Sequence, residues 1–159
     1  MPEPKLAVTA DSGARSSVLD INRPDLLREI AECFADYDRA LLANDIDRLD
    51  HWFWDHPAVI RYGAGEELYG PEQIAAYRRS SAGWVQRGPL TKTTITTFGT
   101  HTATVAVEFD DAAGYGRQMQ TWMRIEDHWK IVCAHVSIRA ADAPSVPTGA
   151  TSRPRESEL

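Results

Sequence analysis

The sequence predicts one α+β domain in which helices cover one face of a curved antiparallel sheet, and three observations predict it. In the first third of the chain, apolar residues recur at spacings of three and four, the period of an amphipathic helix. After about residue 90 the period changes to two, in four β-rich runs separated by short turns. Helices come first and long strands last, the order of an α+β domain. A length of 159 residues, 43% apolar and 9% aromatic, suits one domain with an ordinary core.

The first helix opens at NRPD, with Asn22 a candidate cap and Pro24 in the first turn, and runs to about Ala43. Leu26, Ile30, Phe34, Tyr37 and Leu41 form its apolar stripe. Asp45 reads as the cap of a short second helix, IDRLDHWF, whose Leu49, Trp52 and Phe53 close over the core. HPAVIRYG follows as a short strand. GPEQIAAYRRS signals a third helix, with Pro71 at its first position and Glu72 and Gln73 in the first turn. Gly63, Gly65 and Gly70 are expected at turns, where glycine alone takes positive φ without penalty. LTKTTITTFGT, HTATVAVEFDD, GRQMQTWMRIED and WKIVCAHVSIR then read as an antiparallel meander. Residues 1–20 and 141–159 lack periodicity and are expected to be disordered tails around a domain of residues 21–140.

Composition narrows the function classes. A net charge of −6 with no basic stripe argues against a nucleic-acid partner. Cys33 and Cys133 match no CxxC spacing and are expected as free, buried thiols. His51 and His56 lack the spacing of helical metal ligands, and neither HExxH, GxSxG nor GxxxxGK[ST] occurs, so neither metal nor cofactor is expected. No apolar run approaches the roughly 18 residues of a membrane span, and the first residues lack a signal-peptide core. The expectation is a cytoplasmic protein that binds no membrane.

In VIRYG, alternation puts Val59 and Arg61 on one side of the strand and Ile60 and Tyr62 on the other. A guanidinium facing inward cannot shed its charge and needs an anionic partner or water. Taken alone, the residues favour a structural ion pair with Glu66, Glu67 or Asp36. Tyr37 reads as a core tyrosine with its hydroxyl at an edge. Cys133, His135 and Ser137 alternate with Val132, Ala134 and Val136, and one of these faces lines the interior. His135 suits either a hydrogen-bonded core position or a pocket. Gln118, Gln120 and Trp122 share one face of their strand, where amides and an indole suit a planar urea-like ligand, or else a solvated or interface row. Tyr62, Tyr69, Tyr77 and Trp84 suit packing more readily than chemistry. Tyr62 and Tyr69 nevertheless join His135, Gln120 and Trp122 as candidate substrate contacts.

LLANDIDRLDHWFWDHPAVIRYGAGEELYGPEQIAAYR, with GRQMQTW and IVCAHVS, resembles the AtzH- and HpxZ-like group of the SnoaL-like, or nuclear transport factor 2-like, superfamily, over about residues 21–138. The resemblance implies a cone-shaped sheet with three N-terminal helices on its concave face, enclosing a pocket. It implies a cofactor-free decarboxylating amidohydrolase acting on a small anionic urea, 1,3-dicarboxyurea giving allophanate, in ureide or s-triazine nitrogen catabolism. Its catalytic pair maps to Tyr37 and Arg61. With the resemblance, Arg61 is expected to wait unmatched in an enclosed pocket for an anion. The alternative is a non-catalytic ligand-binding or accessory subunit of a neighbouring amidase, as in oxalurate catabolism. A third reading, isomerisation or dehydration of a cyclic ketone, needs a carboxylate base in the pocket, and the strands offer only Glu108 and Glu126. The superfamily also implies a homodimer through the sheet, which fits an exposed face carrying Thr, Met and Trp rows.

Overall fold

Pro24 starts helix α1 (Pro24–Ala43), which buries Leu26, Ile30, Phe34, Tyr37 and Ala40 along one stripe. The computed structural model describes residues 19–80 and 83–143, so most of both expected tails lies outside the described residues. Asn22 does not cap the helix. At φ 59° it pairs instead with the sheet, its amide donating to the Thr97 carbonyl (3.1 Å) and its side-chain oxygen accepting from the Thr97 amide (3.0 Å). The helix ends at Asn44 in the left-handed region (φ 52°), which asparagine tolerates better than most residues. Asp45 then caps α2 (Ile46–Trp52) by accepting from the Arg48 amide, as its position before IDRLDHW predicts.

Strand β1 (Ile60–Tyr62) and strand β2 (Glu67–Tyr69) form a small antiparallel hairpin, followed by α3 (Gly70–Arg79). Gly70 begins that helix at φ 78°, a conformation open to glycine at little cost. The long meander follows as β3 (Leu90–Phe98), β4 (Thr102–Asp111), β5 (Gly114–Ile125) and β6 (His128–Ala140).

Among the described residues the strands join one six-stranded sheet in the order β2-β1-β6-β5-β4-β3. The expectation of a purely antiparallel sheet is corrected at one seam, because β1 runs parallel to β6. Strand β2, which its three residues do not signal, covers the outer side of β1. One face packs on the helices through Val105, Val107, Phe109, Trp122, Trp129, Ile131 and Ala134, which are buried with the apolar stripe of α1. The other carries exposed Met119, Met123 and Tyr69. A register shift between Thr121 and Trp122 marks a bulge in the β5–β6 ladder, which increases local twist and bends the sheet. The cysteines are free, but Cys33 is only half-buried and Cys133 is exposed, against the expectation of burial. Among the described residues no helix is long and apolar enough to cross a membrane.

Candidate active site

Register decides which side of β1 faces the helices. Arg61 lies opposite Ala134 and Tyr62 opposite His135, and paired residues share a face. Ala134 is buried and His135 exposed, so Arg61 points inward with fully buried Val59, and Tyr62 points outward. Inside, Arg61 lines a half-open cavity of about 220 Å³ together with Tyr37, Glu66, Tyr77, Gln118 and Asp111. Leu41, Phe109, Val136 and Ile138 supply apolar wall.

Tyr37 is held from several sides. Its ring packs on Phe34 and Phe53 and meets the Trp122 ring edge-on at 6.4 Å. Buried Gln118 donates from Nε2 to the phenolic oxygen at 3.1 Å. A phenol oxygen that accepts this bond still has its own hydrogen to give. Helix α1 therefore presents a fixed proton donor to the cavity, and β5 fixes where that donor sits.

The expectation that Arg61 waits unmatched is corrected. Its Nη1 donates to Glu66 Oε1 at 2.5 Å, and the two side chains are 15% and 21% exposed. The guanidinium also lies over the Tyr77 ring, 5.3 Å from its centre. The physical reason is local. The turn after β1 closes with the Gly63 amide donating to the Glu66 carbonyl (2.8 Å), which brings the Glu66 side chain back across Gly63 to Arg61. A Cβ on Gly63 would stand 1.7 Å from Glu66 Oε1, so this glycine serves close approach and not positive φ. Burial pushes the Tyr77 phenol up, helped by the Glu66 charge and opposed by Arg61, so Tyr77 stays protonated at neutral pH.

Two further cations belong to this neighbourhood, and sequence reasoning missed both. Arg87 reaches the cavity wall, pairs with Asp38 of α1, donates to the Gly88 carbonyl (2.9 Å) and lies over Phe109. Arg78 of α3 is 6% exposed, pairs with Asp50 of α2 at 2.6 Å and stacks on Phe53 at 4.3 Å. Burial pulls its guanidinium below the ordinary value, opposed by Tyr37 and Asp50. Arg78 follows buried Ile74 by one helical turn, and that i,i+4 spacing is the signal that could have found it. Arg87, in an irregular segment, carries no such signal. Nor was Tyr77 read as a cavity residue.

Tyr37 and Arg61 meet at the cavity, while the other candidates do not. Gln120 and Trp122 share the inner face, but both are buried in the core, joined by a bond from Trp122 Nε1 to Gln120 Oε1 (2.9 Å), and neither lines the cavity. Tyr62, Tyr69 and His135 occupy the opposite face of the sheet. There the Tyr62 and Tyr69 hydroxyls are 3.1 Å apart and the Tyr62 ring meets His135 edge-on at 5.9 Å. Strand alternation places them there, and no inward rotation is open to them. The expectation that the strands offer only Glu108 and Glu126 as carboxylates is corrected: Glu108 is bonded by the Tyr115 hydroxyl, Glu126 lies in the turn after β5, and Asp111 at the end of β4 lines the cavity with Glu66.

A curved sheet closed on one side by three helices around a polar-floored cavity defines the nuclear transport factor 2-like class, and solved structures agree. An NTF2-like protein of unknown function from Pseudomonas putida matches the fold with a TM-score of 0.60 at 18% identity, covering 72% of this chain and 87% of that one. The chain belongs to the AtzH-like family, whose sequence model matches residues 19–142. It is similar to a DUF3225-family protein of unknown function from Pectobacterium atrosepticum, at 44% identity over 76% of this chain and 96% of that one, TM-score 0.69. A cystatin-like fold protein from Burkholderia xenovorans is likewise 44% identical over 77% of this chain and 98% of that one, TM-score 0.71. No curated protein matches the chain.

Proposed function

We propose that this protein is a decarboxylating amidohydrolase acting on a small carboxylated urea of the 1,3-dicarboxyurea kind and giving allophanate, in ureide or s-triazine nitrogen catabolism. The observation that carries the reading is that Tyr37 and Arg61, the pair implied by the resemblance, line one cavity despite lying on different elements. Family membership supports it. By resemblance no cofactor takes part.

The chemistry assigns the roles. A cation fixed on the departing carboxylate would stabilise the ground state more than the transition state, because that charge moves into the breaking C–N bond. Arg61 is better used on the carboxylate that stays or on the urea carbonyl oxygen, where negative charge accumulates. The C–N bond breaks, its electron pair passes to nitrogen, carbon dioxide leaves, and the Tyr37 O–H proton goes to that nitrogen. The resulting phenolate recovers a proton from water. Gln118 supports this geometry by holding the phenolic oxygen without taking its hydrogen, and the apolar wall strips water from the leaving carboxylate.

The test is incubation of the pure protein with freshly made 1,3-dicarboxyurea, measuring carbon dioxide and allophanate, with Tyr37→Phe as control. Release above the spontaneous rate, lost in the variant, is the expected result; equal rates for the two proteins would sink the assignment. A second reading, a binding or accessory subunit of an amidase, draws support from the Arg61–Glu66 pair, since a site for carriage needs no proton donor. In that case Tyr37→Phe keeps its ligand affinity and the wild type releases no carbon dioxide. Pairing of two copies through the outer face, where Tyr62, Tyr69, His135 and Met119 lie, belongs to the same proposal and is read by light scattering.

A further inference from the structure

The turn between β1 and β2 contains a device that the catalytic scheme leaves unused. Its backbone is closed by bonds that do not involve the Glu66 carboxylate: the Gly63 amide bonds the Glu66 carbonyl (2.8 Å), and Tyr62 pairs with Glu67 in the ladder. The carboxylate itself is held by Arg61 and by the Gly65 amide at 3.3 Å. Rotation of one partly exposed side chain therefore uncovers the Arg61 guanidinium while the main chain stays in place. Arg87 differs, because its partner Asp38 projects from α1 and its own side chain is only 5% exposed.

We propose that Glu66 is a specificity-determining residue: its carboxylate occupies the place of a ligand carboxylate on Arg61 and must swing away for the ligand to bind. This rests on the reading of the cavity as an anion site. The site then refuses neutral ureas, which cannot compete with a carboxylate for a guanidinium. It also binds its proper ligand less tightly than an uncovered arginine would, because apparent affinity falls with the fraction of molecules in the open state. Gly63 belongs to the device, since its missing Cβ is what lets the carboxylate lie across the turn.

Glutarate serves as the probe: its two carboxylates stand three atoms apart, as in 1,3-dicarboxyurea, and it has no bond to cleave. Binding is measured by calorimetry for the wild type, Glu66→Gln, Glu66→Asp and Arg61→Met, each checked by circular dichroism and thermal melting. Glu66→Gln and Glu66→Asp are both expected to tighten glutarate about three- to tenfold. Glu66→Asp is the sharper variant, because a side chain one methylene shorter draws the carboxylate back from Arg61 while keeping the charge, whereas Glu66→Gln also makes the site more positive. Tightening in Glu66→Gln with no tightening in Glu66→Asp would mean that Glu66 acts by charge alone, and the inference would fall. The carboxyl carbon resonance of Glu66 in the wild type gives a second reading: it shifts in step with glutarate occupancy, or the inference is wrong. Retention of binding by Arg61→Met would overturn the anion-site reading beneath it. Absence of binding in every protein would overturn both.

Discussion

Arg78 and Arg61 are both inward-facing guanidinium groups held by carboxylates, yet the two pairs are built differently. Asp50 lies on α2 and Arg78 on α3, so that pair ties two helices together. Phe53 covers the Arg78 guanidinium and leaves the side chain 7% exposed. Glu66 lies five residues from Arg61 in one turn, and the Arg61 side chain, 15% exposed, borders an open cavity. A buried cation whose anion comes from another element works as a fastener. One whose anion comes from its own turn, with empty space beside it, is available to a ligand at little structural cost.

The largest expected effects fall on activity at the turn-held arginine. Arg61→Lys keeps the charge but loses the planar two-pronged geometry, and Tyr37→Phe removes the proton donor. Each is expected to lower turnover of 1,3-dicarboxyurea by at least about a hundredfold, with far-UV circular dichroism and melting temperature near wild type. Near wild-type turnover in either would remove the distinction between a working cation and a structural one.

Stability should show the reverse order. Asp50→Asn leaves Arg78 buried opposite a neutral amide, and loss of one member of a buried pair costs about 3–5 kcal/mol. Because Asp50 is itself partly exposed, the lower end of that range is expected in urea denaturation. Glu66→Gln, beside the cavity where water or a ligand can replace the carboxylate, is expected to cost about 1 kcal/mol or less. Equal losses in the two variants would break the contrast.

The same contrast explains what the sequence could disclose. The extents of α1, α2 and α3 and the four long strands were legible because period, Pro24, Asp45 and Pro71 are local signals. Strand β2 was not, since Glu67-Leu68-Tyr69 is too short to show a period. The parallel seam between β1 and β6 depends on contact between distant segments, which no local pattern encodes. Alternation correctly put Arg61 with Val59 and separated His135 from Ala134, but it left open which face lines the interior; the Arg61–Ala134 register settled that. Depth along a strand was also hidden. Gln118, Gln120 and Trp122 share a face as expected, while only Gln118 reaches the cavity. Glu66 was within reach of sequence reasoning because its turn is local. Arg87 with Asp38 was not.

The smallest effect concerns a third carboxylate, Asp36 on α1, which extends the fastener side of the comparison to a more exposed setting. Arg48 Nε donates to it at 2.6 Å, Trp52 Nε1 at 2.9 Å and Arg39 Nη2 at 3.1 Å, so it ties α1 to α2. The Arg48 bond holds its carboxyl below the usual range, with Trp52, the Arg48 charge and Arg39 adding to the effect against burial. A carboxylate with a lowered folded-state value contributes stability that is fully present above its unfolded value, near 4, and is lost as the pH falls through the folded one. Asp36→Asn is therefore expected to cost about 1 kcal/mol or less at neutral pH, with the difference from wild type narrowing as the pH drops from about 5 toward 2. Urea midpoints of both proteins across that window provide the measurement. A difference that stayed constant would mean that the Trp52 and Arg48 bonds do not depend on the ionised carboxylate, and that Asp36 belongs with neither kind of pair.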